Sequence, residues 1–136
     1  MPAPPATTLF LKGLLLGIYA LVIDYLFVGV IFHSYQRLTP QTWRPEGPRS
    51  YTVATIVDIL FGVGFAFFFA YYHAGLGIDS LGSAVVAGLI LWALFTLPVL
   101  LSTGIFVNWH NMVWLGLVLD WLVIICGVSA LACLLT

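Results

Sequence analysis

Residues 9–32 read LFLKGLLLGIYALVIDYLFVGVIF. In this stretch one cation, Lys12, and one acid, Asp24, interrupt an otherwise apolar run. At 1.5 Å of rise per residue such a run spans the roughly 30 Å hydrocarbon layer of a bilayer as a helix. Three further runs have the same character, at 52–72, 82–106 and 112–135. Each is expected to be helical, because lipid offers no partner to an unpaired backbone N–H or C=O. None shows the alternation of a barrel strand, and each is about twice the length that such a strand needs.

The composition agrees. Of 136 residues, 62% are hydrophobic and 7% charged, and the mean hydropathy is +1.14. Soluble domains carry about 25% charged residues. A small soluble fold could not hide this much apolar side chain. A formal charge of -1 leaves no basic field to hold nucleic acid. Cys126 and Cys133 lie seven apart in one run. On a helix that is about 10.5 Å along the axis, too far for a disulfide. No CxxC or Cys/His metal spacing occurs. The N-terminus has no charge before Lys12 and no small-residue cleavage site, so the first run is expected to be a retained anchor rather than a signal peptide.

The expected fold class is therefore all-α: an integral membrane four-helix up-down bundle, one transmembrane domain over 1–136. Its long loop, 33–51, carries Arg37, Arg44 and Arg49. Turns at 73–81 and 107–111 are short, which favours antiparallel neighbours. The excess of arginine is expected to place the long loop in the cytoplasm and both termini outside, with the inverted orientation left open; the expected location is a bacterial inner membrane. Trp43, Trp109, Trp114, Tyr35 and Tyr51 mark that interface, and Tyr71 and Tyr72 the other.

Three carboxylates fall inside the spans. Counted along the helices, Asp24, Asp58 and Asp120 lie roughly 9–12 Å below the same, loop-bearing, surface. Thr96, Ser102 and Thr103 of the third span are expected near that level, beside a kink at Pro98. Gly13 and Gly17 share a face with Asp24, Gly62 with Asp58, and Gly116 and Gly127 with Asp120. Small residues let membrane helices approach closely, so these faces should be the packed ones. An aspartate turned to lipid costs at least about 2.5 kcal/mol. The acids are thus expected to point into a common interior.

Two uses of such a layer remain open. As a packing clasp, the aspartates would accept bonds from Tyr, Trp, Thr or the loop charge partners Arg37, Arg44 and Arg49, or stay protonated and donate. As a working site, they would relay a proton or cation or hold a polar substrate. His33 and His110 end or begin spans on the same side, and with Asp24 and Asp120 they are candidate ligands for a metal or haem. No cofactor is required by the sequence. The run Phe65, Phe67, Phe68 and Phe69 is expected to form a collar for lipid, a partner or a pigment. No GxSxG, Walker A or GxGxxG motif is present.

The first run, with Gly13, Gly17 and Asp24, followed by a loop with Trp43 and three further spans, resembles the small uncharacterised four-helix membrane proteins of bacteria, whose first helix carries Asn or Asp in that place. The resemblance implies the four-span layout and transfers no activity. The leading functional expectation is a non-catalytic accessory or assembly subunit of a larger membrane complex. The alternatives are a small homodimeric proton, cation or solute transporter using the aspartates, and a cofactor- or metal-binding membrane protein. The expected partners are the lipid bilayer, other membrane subunits or a second copy, and no nucleic acid.

Overall fold

The computed structural model describes residues 4–39, 41, 42 and 47–136. Trp43 and Arg44 lie outside them. Every element among the described residues is helical. Four helices are long and apolar enough to cross a membrane: α1 (Ala6–Ile31), α3 (Pro48–Tyr72), α4 (Leu81–Phe106) and α5 (Asn111–Leu134). A single turn, α2 (His33–Gln36), follows α1 inside the segment read as loop. Cys126 and Cys133 are free thiols.

The ends have local causes. Helix α3 begins four residues before the expected 52, because extended Gly47 leads into Pro48, whose fixed φ and missing N–H suit the first helical turn. Helix α4 begins in a capping box: Ser80 Oγ accepts from the Ser83 N–H at 3.3 Å, and Ser83 Oγ accepts from the Ser80 N–H at 3.0 Å. Gly77, at φ 66, makes the turn that precedes it.

Two helices widen into π turns, Tyr25–Ile31 in α1 and Trp92–Thr96 in α4. The second sits directly before Pro98. The proline ring has no N–H to give and crowds the carbonyl four residues back, so the chain takes an extra residue in that turn.

Packing follows the glycines. Helix α1 lies along α3 where a Cβ on Gly17 would meet Ile59 Cα at 2.7 Å and a Cβ on Gly62 would strike the Gly17 backbone. Helix α5 packs on α1 and touches α3. Tyr19 of α1 covers Gly127, and Phe32 covers Gly116. Helix α4 packs on α5 alone among the described residues, where Gly88 faces Ser129 and Cys126. The helices thus form a three-membered core, α1, α3 and α5, with α4 docked on its α5 side.

Buried Leu16, Ala20, Phe65, Phe69, Ile124 and Val128 make that core. Phe65 and Phe69 point inward, so the expected phenylalanine collar is half interior. The outer surface is apolar instead. Leu94, Phe95 and Val99 are exposed, and Ile105 and Phe106 reach 77% and 85%. A soluble protein of this size would not display so much contiguous hydrocarbon, and the four apolar helices suggest a multi-pass membrane protein.

Candidate functional site

Asp24 is the last residue before the first π turn. It is half-buried, whereas Asp58 on α3 is 4% exposed and Asp120 on α5 is 0% exposed. The glycine contacts that close α1 onto α3 and α5 also bring these side chains together. The Asp24 and Asp120 side chains are close enough to interact. Asp58 is close enough to act electrostatically on both.

What surrounds them is as informative. Among the described residues, neither oxygen of Asp120 receives a hydrogen bond from an N–H or O–H donor, and nor does Oδ2 of Asp58. Arg37 and Arg49 are exposed; Arg44 lies outside the described residues. The other polar groups nearby satisfy themselves on backbone. Tyr19 donates to Val123 O at 3.2 Å, and Ser129 to Ile125 O at 2.8 Å. Trp114 Nε1 donates to Leu100 O at 2.8 Å across the α4–α5 contact.

The third-span hydroxyls are placed apart from this arrangement. Thr96 is half-buried at the end of its π turn, Ser102 is exposed, and Thr103 donates to Val99 O at 2.8 Å. Their helix touches α5 and neither of the other two that carry aspartates. Among the described residues no hydrogen bond joins any of the three to Asp24, Asp58 or Asp120.

His110 has a structural occupation. It caps α5, its Nδ1 accepting from the Met112 N–H at 3.2 Å, and its ring stacks on Tyr35 with centroids 5.6 Å apart. His33 is half-buried in the first residue of α2. Among the described residues no three His, Cys, Asp or Glu side chains gather as a metal would need. His73, at the opposite end of α3, donates through Nδ1 to Phe69 O at 2.8 Å.

A cavity of about 390 Å³ opens at the loop-bearing end, between α1 and α3. Among the described residues Asp24 is the charged one in its wall, with Tyr25, Tyr51 and Trp109 around it and Gln36, Thr42, Ser50 and Thr55 as polar lining. The first π turn shapes this wall. Its displaced carbonyl at Val28 accepts a 2.8 Å bond from Gln36 Nε2, and the Phe32 N–H reaches back five residues to Phe27 O at 2.8 Å.

Sequence reasoning missed Gln36, which is buried although it follows a span. It also missed Tyr25, Ser50 and Thr55 as cavity residues. Tyr51 and Trp109 carried a signal, as interface aromatics. Comparison with protein-family models, with curated proteins and with solved structures finds no match to this chain.

Proposed function

We propose that this chain is a four-span, up-down integral membrane protein in which Asp24, Asp58 and Asp120 accept positive charge from the loop-end cavity, as part of a small proton- or cation-translocating protein. The observation that carries this reading is Asp120, which is wholly buried, receives no donor among the described residues, and interacts with Asp24, a residue of the cavity wall. Of the two forms of a packing clasp, the one in which Tyr, Trp, Thr or Arg donors hold these carboxyls finds no support for Asp120 among the described residues.

Two interacting carboxyls repel when both are ionised, and one proton held between them removes the repulsion. Such a pair is a proton store. Asp24 connects it to the cavity, and Asp58 adds a third negative site beside it. The loop arginines support a cytoplasmic position for the cavity, and the membrane of this reading is a bacterial inner one. Four helices enclose little volume, so a complete pathway uses a second copy.

Two measurements test the site. Infrared spectroscopy of the purified protein is expected to show the C=O stretch of a protonated carboxyl, lost in Asp120→Asn. In liposomes with a trapped pH dye, the protein is expected to carry protons, and Asp120→Asn or Asp24→Asn to stop it. Undiminished flux in Asp120→Asn overturns the proposal.

A second reading, an accessory subunit of a larger membrane complex, draws on α4. That helix is held on one side only and leaves Leu94, Phe95 and Val99 exposed. Recovery of unlike subunits in constant ratio after gentle detergent extraction would favour it.

A further inference from the structure

The loop-end cavity has a chemistry of its own. A volume of about 390 Å³ is far larger than a proton or a bare metal ion needs and falls in the range of small-molecule pockets. Among its described lining residues the single ionisable acid or base is Asp24, at the α1 wall. Three aromatic side chains, Tyr25, Tyr51 and Trp109, stand around the same space. Aromatic faces carry negative electrostatic potential and attract organic cations, most strongly at a desolvated site. Asp120 and Asp58, which interact with Asp24, are almost wholly buried, and both oxygens of Asp120 and Oδ2 of Asp58 have no hydrogen-bond partner among the described residues.

These features select among ligand classes. Among the described lining residues an anion would meet no cationic side chain, and it would meet the carboxyl of Asp24. A neutral solute would leave the negative charge of Asp24 unanswered. A small metal ion seeks several oxygens at close range, and no such gathering is present among the described residues. An alkylammonium group matches both parts of the wall: its charge sits on the carboxylate and its methyl or methylene shell on the rings.

We propose that this cavity binds an alkylammonium group, with Asp24 as counter-ion and Tyr25, Tyr51 and Trp109 as its aromatic walls. The proposal rests on the reading of the aspartates as a charge-accepting cluster, and it names the class of cation. Because the bound cation and the stored proton draw on the same carboxyls, each disfavours the other. Binding of the cation therefore releases protons and tightens as pH rises. The group has two sources of the same chemistry, a free amine in water or the headgroup of a choline lipid.

The test is calorimetric titration of the full chain in maltoside micelles with choline, and with 3,3-dimethyl-1-butanol, which has the same shape and no charge. Choline is expected to bind saturably and at least tenfold more tightly than the alcohol. Its affinity should rise with pH, fall at least tenfold in Asp24→Asn, and fall severalfold in Tyr51→Ala. Tyr51 is exposed, so its truncation removes no core packing and keeps the test decisive if Asp24→Asn misfolds.

Repetition in phosphatidylcholine and phosphatidylglycerol nanodiscs assigns the source. Weaker choline binding in the phosphatidylcholine discs identifies a lipid headgroup as the occupant, and equal binding identifies a free solute. Equal affinity for choline and the alcohol, no saturable binding of choline, or binding unchanged in both variants overturns the proposal. If the Asp120-dependent infrared band persists in that case, the carboxyl cluster stands and only its ligand is wrong. Loss of both removes the underlying reading as well.

Discussion

Single glycines decide how closely these helices meet, and two of them on one helix make opposite predictions. A Cβ added at Gly62 strikes the backbone of Gly17 and the carbonyl oxygen of Gly13, neither of which can move without separating α1 from α3. Two residues on, a Cβ at Gly64 has nothing within 4 Å. Gly62→Ala is therefore expected to destabilise the protein by about 1–3 kcal/mol, the usual cost of overpacking. Gly64→Ala is expected to be neutral or slightly stabilising, since alanine is about 1 kcal/mol better in a helix interior. Thermal unfolding of both variants in one detergent checks the contrast, and equal midpoints would contradict the close packing of α1 on α3. The pattern behind it was legible in the sequence, where Gly13, Gly17 and Gly62 share the faces of Asp24 and Asp58. The partners were not, because nothing in the spacing says that Gly127 takes Tyr19 or that Gly116 takes Phe32.

The two π turns show why some elements can be read from sequence and others cannot. Pro98 announces a break in α4, and the break appears as the turn Trp92–Thr96 just before it. Nothing in YLFVGVI announces one at Tyr25–Ile31. Its cause includes a residue from another element: Gln36, in the single turn α2, reaches back to Val28 O. A helix carbonyl released from its usual partner has to find another donor where water is scarce, and the buried Gln36 amide supplies it. Gln36→Leu keeps the bulk and removes the donor. It is expected to destabilise the protein by about 1–3 kcal/mol, the cost of leaving a buried acceptor unpaired. Backbone exchange over residues 27–32, followed by mass spectrometry, should accelerate while exchange in α3 stays unchanged. No change over 27–32 would mean that packing alone holds the wider turn. The cavity beside Asp24 depends on this geometry, since Val28, Gly29 and Gln36 all contribute to its wall.

At the scale of the molecule, hydropathy revealed four helices but not their neighbours. A lipid-facing run and a protein-facing run are both apolar, so the order of contacts has to come from small residues and polar side chains. That order separates the carboxyl cluster, built by α1, α3 and α5, from α4, which reaches α5 alone. It also explains why Thr96, Ser102 and Thr103, at a plausible depth by counting, are not bonded to the aspartates. The separation has a measurable consequence. A side chain at Gly88 meets Ser129 Oγ at 2.7 Å and Cys126 Cα at 2.9 Å, so Gly88→Val wedges α4 away from its only described support. Cys126, half-buried in the wild type, should then react faster with a thiol reagent. The Asp120-dependent infrared band should persist, because none of the groups that make it lies on α4. Joint loss of the band and of thiol protection would show instead that α4 is needed to hold α5 against α1, and that the cluster belongs to all four helices at once.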